Sequence, residues 1–270
     1  MFVGWIRKNS FREDLERFSL EVAIDKGVVL NCFDHGSLIF GAYEGETLIA
    51  FVVLYEMENL YLLNGFYYKP DTSNPIKERL LKILFNNLYD EERSVVTIVH
   101  KSQMEIFTQV GFKALHRFTQ ATYSGGGVAF NFTNAMAKSI TRENYIPTLA
   151  QLNKRALGDD MVEYITQNIF KSSSLILSTD FGYQHSYALD KSTIKISPWI
   201  MEDGAFDDAH KLIRGVIYHR GLKKISAFIP ADAQSVVELY QSYQFVLEGE
   251  YYLMYKNTQP SIDIEMIYGL

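Results

Sequence analysis

The order of secondary-structure elements read from this sequence runs through the chain twice, and that repetition constrains the fold more than any single motif. In the first half, Ser10-Phe11-Arg12-Glu13 has the form of a capping box. Phe11, Leu15, Phe18 and Val22 follow at helical spacing, which predicts a helix over 11–25. Two β-rich runs, 37–43 and 47–54, flank the polar turn Glu44-Gly45-Glu46 as in a hairpin, and 60–68 is a third strand that stops at Lys69-Pro70. Pro75 suits the first turn of a helix, and Ile76, Leu80, Leu81, Leu84, Phe85 and Leu88 give that helix one apolar face. The β-branched run 94–99 predicts a buried strand, 103–110 a short helix capped by Gly111, and 113–123 a last strand. The second half predicts helices over 141–155 and 159–170, strands over 174–179, 183–189 and 193–199, then helix 207–218, strand 224–229, helix 234–243 and strand 247–256. Pro70 matches Pro198 at an offset of 128, and Val95 matches Ile225 at 130. Leu80-Leu81 matches Leu212-Ile213 at 132. Ile106-Phe107 and Gly111-Phe112 match Leu239-Tyr240 and Gln244-Phe245 at 133. Changes in loop length produce such a drift.

A length of 270 residues fits two domains of ordinary size, and 47% hydrophobic residues exclude a disordered chain. The triple-glycine stretch at 124–127 reads as a domain boundary or a hairpin turn, and such a loop could also cradle a phosphate; taken as a boundary, it gives domains 1–127 and 128–270. The formal net charge of −6, with no basic run, argues against nucleic acid as a partner. The single cysteine, Cys32, excludes an internal disulfide and sits in an apolar run, where a buried structural thiol is expected rather than a nucleophile. No apolar segment follows the charged N-terminal residues, and 118–137 is too polar and glycine-rich to span a bilayer. The expectation is a cytoplasmic protein with no membrane partner. No His, Cys or Asp spacing resembles a metal site, so no metal is expected. No Gly-x-Ser-x-Gly or comparable nucleophile motif occurs.

The segment Met104-Glu105-Ile106-Phe107-Thr108-Gln109-Val110-Gly111-Phe112, followed by a strand, resembles the ending of a GNAT (general N-acetyltransferase) domain. Val236-Val237-Glu238-Leu239-Tyr240-Gln241-Ser242-Tyr243-Gln244-Phe245 resembles the same ending, with Gln244 in place of the glycine. Each half also has the family's order of helix, three strands, helix, strand, helix, strand. Ala156-Leu157-Gly158-Asp159-Asp160 and Ser197-Pro198-Trp199-Ile200-Met201-Glu202-Asp203, with Ala209 and Leu212 downstream, resemble the C-terminal half of YitH-like two-domain GNAT proteins. The resemblance runs from about Val3 to Lys256. It implies an α/β fold of the α+β type, with two tandem domains, each a mixed, mostly antiparallel sheet flanked by helices. It also implies acetyl-CoA as acyl donor and direct transfer to a small-molecule amine or a peptide amino terminus.

The sequence departs from the family where the CoA pyrophosphate is held. GNAT domains carry Gln/Arg-x-x-Gly-x-Gly/Ala there, because glycines let backbone N–H groups approach the phosphates at a helix N-terminus. The corresponding stretch Ser73-Asn74-Pro75-Ile76-Lys77-Glu78 has neither glycine, and Pro75 removes a donor. In the second half, Met201-Glu202-Asp203-Gly204-Ala205-Phe206 keeps Gly204 but adds two acids. The alternative is therefore a degenerate tandem pair that binds CoA or a partner without catalysis.

The resemblance nominates two groups of site residues. Tyr240 takes the place of the tyrosine that protonates the departing CoA thiolate, whereas Phe107, its counterpart, has no proton to give. His100 follows the fifth strand, where the family's cleft opens, and is the candidate to accept the amine proton. His185, Asp180 and Tyr183 are further candidates to face a cleft. For the cofactor, the backbone of Phe66, Tyr67 and Tyr68 is placed to pair with pantetheine amides, as a sheet edge pairs with a peptide. Ser73, Asn74, Ile76 and Lys77 are placed to meet the phosphates. The competing readings are a packed core tyrosine, a satisfied loop histidine and a solvated helix start.

Overall fold

The computed structural model describes residues 1–18, 24–126, 138–139 and 146–270. The chain forms two compact units. The first comprises Met1–Leu115 with Leu253–Pro260, and the second His116–Tyr252 with Ser261–Leu270.

The first unit begins with strand β1 (Phe2–Trp5), helix α1 (Phe11–Arg17) and helix α2 (Lys26–Asp34). The helix expected over 11–25 ends at Arg17. Phe18 turns extended, with its N–H on the Leu15 carbonyl, and Asp25 caps α2 by accepting from the Val28 N–H at 3.0 Å. Ser10 does not cap α1 as the capping-box pattern suggests. Its hydroxyl donates instead to the Asp14 carboxylate at 2.7 Å. Val22 lies outside the described residues. Next come β2 (Leu38–Glu44), β3 (Thr47–Glu56), β4 (Leu60–Tyr68), α3 (Asn74–Phe85), β5 (Ser94–His100), a 3-10 turn (Lys101–Gln103), α4 (Met104–Gln109) and the start of β6 (Lys113–Tyr123). The sheet order is β1-β2-β3-β4-β5, antiparallel except for the parallel pair β4 and β5. β3 is covered on both faces, so 51–54 reads as a continuous apolar run rather than an alternation. Phe11 and Phe18 pack edge-on against Phe51 on one face. Leu80, Leu81 and Leu84 of α3 are fully buried in the same unit. Burying each such side chain stabilises by roughly 1.5–3 kcal/mol.

The second unit takes most of β6, then β7 (Lys138–Ser139), α5 (Ile146–Leu157), α6 (Val162–Tyr164) continuing as a π-turn (Ile165–Ile169), β8 (Leu175–Thr179), β9 (Gly182–Ala188) and β10 (Thr193–Met201). It continues with α7 (Phe206–Arg220), β11 (Lys224–Pro230), α8 (Gln234–Ser242) and β12 (Val246–Lys256). A 3-10 turn (Ile264–Met266) and β13 (Ile267–Gly269) complete it. The strand order is β12-β6-β11-β10-β9-β8-β7, and β13 pairs with β10. Its core joins Trp199, Leu212, Ile213, Val216, Leu239 and Tyr240.

The expected fold class holds: each unit is a mixed, mostly antiparallel sheet flanked by helices. The compact units differ from the sequence boundary at 127 in where two strands go. From His116 onward β6 belongs to the second unit, antiparallel to β11 from Phe118↔Pro230 to Tyr123↔Ile225. The end of β12, from Leu253, belongs to the first unit, where Lys256 Nζ donates to the Val110 carbonyl at 2.9 Å.

Candidate functional site

The parallel pair in each unit is short, and the strands part after it. In the first unit β4 and β5 pair only from Leu60↔Ser94 to Leu62↔Val96. β4 then continues to Tyr68 while bound on its other side to β3, with partners such as Phe66↔Val52 and Tyr68↔Ala50. Its register slips at Asn64, and such a bulge bends a strand and re-aims its side chains. Among the described residues no strand lies between β4 and β5 beyond this point, so the splay leaves a backbone edge along 65–68.

Side chains from β4, α3, the 3-10 turn and α4 meet here. Phe66 packs against Phe107 of α4 and against Tyr68, with ring centroids 5.7 and 5.1 Å apart. The Tyr68 hydroxyl accepts from Gln103 Nε2 at 3.3 Å. Lys77 Nζ lies 4.0 Å over the Tyr68 ring and 3.4 Å from Asn74 Oδ1. Removal from water pushes the Lys77 ammonium below its ordinary pKa, a bias that a bound anion would reverse. Tyr67 points to the opposite face, onto Phe51 at 4.9 Å, and its ring lies over Gly65. Burial raises its phenol, with the charges of Asp25 and Cys32 adding to the effect. Cys32 is fully buried, and burial pushes its thiol up to about 11, which suits the structural role expected of it.

The start of α3 fits a pyrophosphate only in part. Ser73 holds the N-cap position without a side-chain cap and is exposed, and Ile76 is half-buried. Pro75 has no N–H, and the Ile76 and Lys77 amides both point at the Ser73 carbonyl, at 3.1 and 3.2 Å. The donors that glycines would free are thus engaged, and Lys77 is the cation at hand.

His100 is exposed at the end of β5. Its Nδ1 accepts from the Ser102 N–H at 3.3 Å and lies 2.8 Å from the Ser102 hydroxyl. A neutral ring with Nδ1 accepting carries its proton on Nε2, so that edge donates rather than accepts.

The second unit arranges the same elements differently. β10 and β11 pair in parallel only over Thr193–Lys195, and the register with β9 slips between Ile196 and Trp199, as β4 slips at Asn64. Here β13 lies in the splay. It pairs antiparallel with β10 through Trp199↔Gly269 and Ile200↔Ile267. On the other side, the Phe228 and Leu270 amides each donate to the other residue's carbonyl, at 3.1 and 2.9 Å. Tyr240 is 0% exposed, and its hydroxyl donates to the Tyr268 carbonyl at 2.9 Å. Burial holds its phenol well above the ordinary value. Its proton therefore faces the strand in the splay. His185 is equally enclosed. Nδ1 meets the Ser197 carbonyl at 2.7 Å, Nε2 meets the Ser174 hydroxyl at 2.9 Å, and burial lowers its pKa to about 4. The Tyr183 hydroxyl donates to Asn153 Oδ1 at 2.5 Å. Asp180 stands in the β8–β9 turn.

Sequence reasoning nominated Phe66, Tyr67, Tyr68, Ser73, Asn74, Ile76 and Lys77, of which the structure brings Phe66, Tyr68, Asn74 and Lys77 together and turns Tyr67 away, and it nominated Tyr240, which lies in the other unit. It missed Gln103 and the whole of β13. The apolar run Met266-Ile267-Tyr268-Gly269-Leu270 was the available signal for that strand. Among the described residues no group of three His, Cys, Asp or Glu has metal-holding geometry, and no helix is long and apolar enough to cross a membrane.

No family model and no curated protein sequence matches this chain. Solved structures do. A proposed acetyltransferase from Pyrococcus horikoshii aligns with a TM-score of 0.75 at 13% identity, over 100% of this chain and 93% of that one. A GCN5-related N-acetyltransferase from Sphaerobacter thermophilus aligns at 0.62 and 12% identity, over 98% of both chains. A tandem GNAT protein from the clavulanic acid biosynthesis pathway aligns at 0.62 and 9% identity, over 94% and 95%. The chain shares the fold of these acetyltransferase structures.

Proposed function

Starting from that fold, we propose that this protein is an acyl-CoA-dependent N-acyltransferase that uses the first unit, with acetyl-CoA as donor and a small amine or amino terminus as acceptor. The observation that carries the reading is the splay between β4 and β5, which stop pairing after Leu62↔Val96, with the Lys77 cation beside Tyr68 at the end of β4. A pantetheine arm would add to β4 as a peptide adds to a sheet edge. Phe66, packed on the fully buried Phe107, would give the groove an apolar wall, and Lys77 would pair with a phosphate at its mouth. His100 would offer its Nε2 proton as a hydrogen bond to a developing negative charge, and the amine proton would leave to water. Phe107 supplies no acid, so the thiolate would be protonated by solvent. The likeness of the second half to YitH-like two-domain proteins belongs to the same proposal, as does a cytoplasmic location. The expected absence of a metal, of nucleic acid and of a membrane partner is kept as part of it.

A second reading, binding without turnover, is favoured by one observation: the amides at the start of α3 converge on Ser73 rather than on a ligand. Two experiments separate the readings. Titration with acetyl-CoA should give binding that Lys77→Glu weakens by about tenfold or more, the loss of one charge-assisted contact of about 1.4 kcal/mol. Thiol release against a panel of amines then reports turnover. Absence of binding, or binding indifferent to Lys77→Glu, would refute the site. Binding without thiol release from any amine would favour the second reading.

A further inference from the structure

We propose that the splay of the second unit is a peptide-strand site, filled from within the chain by 267–270, and that it is not a second acyl-CoA site. The inference builds on the reading of the first unit as the cofactor site. Three independent observations carry it.

The first is the backbone. A pantetheine arm needs the edges that open where the parallel pair ends. In the second unit those edges are bonded to β13 on both sides, to β10 through the pairs at Trp199 and Ile200 and to β11 through Phe228. The segment is held as an added strand is held in a sheet.

The second is the side chains. Met266, Ile267 and Tyr268 are buried, and the Tyr268 ring packs against Trp199 at 5.5 Å and Phe206 at 6.5 Å. Gly269 lies close to its walls. A Cβ there would meet Ile196 Cγ2 at 3.3 Å, the Tyr240 hydroxyl at 3.4 Å and Trp199 Cβ at 3.5 Å. Tyr240 gives its proton to the Tyr268 carbonyl, so the group that the fold offers to a thiolate is bonded to the strand. The groove thus selects an extended segment with an aromatic residue followed by glycine.

The third is charge. A pyrophosphate would lie at the start of α7, where Glu202, Asp203, Asp207 and Asp208 stand. Arg155 bridges Glu202 and Lys211 bridges Asp208, so the cations at this end are already opposed by carboxylates. The first unit has Lys77 at the same point.

The test uses a chain ending at Asp263 that also carries Lys77→Glu, so that the first-unit site is weakened. Loss of the strand should lower the thermal midpoint of unfolding. A synthetic peptide of the sequence Ile264 to Leu270 should bind one per chain and restore the midpoint, while a scrambled peptide should not. Acetyl-CoA should not displace the peptide. Displacement of the peptide by acetyl-CoA would overturn the inference. Should the truncated chain not fold, amide exchange on the intact protein decides. Under saturating acetyl-CoA the Phe228 and Leu270 amides should keep their protection, and loss of protection there would overturn it. Failure of acetyl-CoA to bind the intact protein at all would count against the first-unit reading, and the peptide arm would still decide this one.

Discussion

At the scale of single residues, burial decides which side chains take part in chemistry. His185 is held neutral by enclosure between Ser197, Ser174 and the stacked ring of Phe170. Its pKa is lowered to about 4 in the folded protein, against about 6.5 when unfolded. Between these values the unfolded chain binds the proton and the folded one does not, so stability rises with pH. His185 thus contributes fully above about pH 6.5, and the contribution is lost on acidification to pH 4, amounting to about 3 kcal/mol. Urea unfolding at several pH values should show this slope, and His185→Gln should flatten it by comparison. Tyr240→Phe tests a different assignment. Deleting the hydroxyl leaves the buried Tyr268 carbonyl without its donor and should cost about 1–2 kcal/mol in urea unfolding. With the reaction in the first unit, turnover should stay within about twofold of the unmodified protein; a loss of about a hundredfold would return Tyr240 to catalysis. The sequence drew attention to Tyr240 through its resemblance to the GNAT ending. It could not show that its partner is a carbonyl in a strand 28 residues further on.

At the scale of elements, hydrophobic periodicity located most helices and strands, because each buries one face. It misplaced the first helix. Phe18 continues the helical spacing, yet its ring reaches Phe51 from extended backbone, so the tertiary contact outweighs the local pattern. It also left 257–270 unread, since a three-residue strand is too short to show a period. The site-forming bend in β4 was illegible for a similar reason: a one-residue bulge leaves no mark on composition. Gly65 follows this bulge, and the Tyr67 ring covers it so closely that a Cβ would lie 2.2 Å from Cε2. Gly65→Ala should therefore push Tyr67 off the sheet and cost about 1–3 kcal/mol, read by urea unfolding. An unchanged midpoint would mean that the ring moves away freely and that β4 is not packed as described.

At the scale of the whole molecule, the repeated order of elements was readable from the sequence, and both units carry a short parallel strand pair followed by a splay. What the repeat could not reveal is that the copies fill their splays differently, one leaving a backbone edge open and the other holding β13. It also could not reveal that β6 and β12 each contribute residues to both units, because strand pairing across more than a hundred residues leaves no local signal. The central claim is that acyl-CoA enters the first unit. Amide exchange by mass spectrometry, with and without acetyl-CoA, tests it most directly. The account predicts new protection along 65–68 of β4 and at the start of α3, with 199–201 and 226–230 unchanged. Protection that instead arises along 199–201 and 226–230, or no change anywhere at saturating acetyl-CoA, would contradict it.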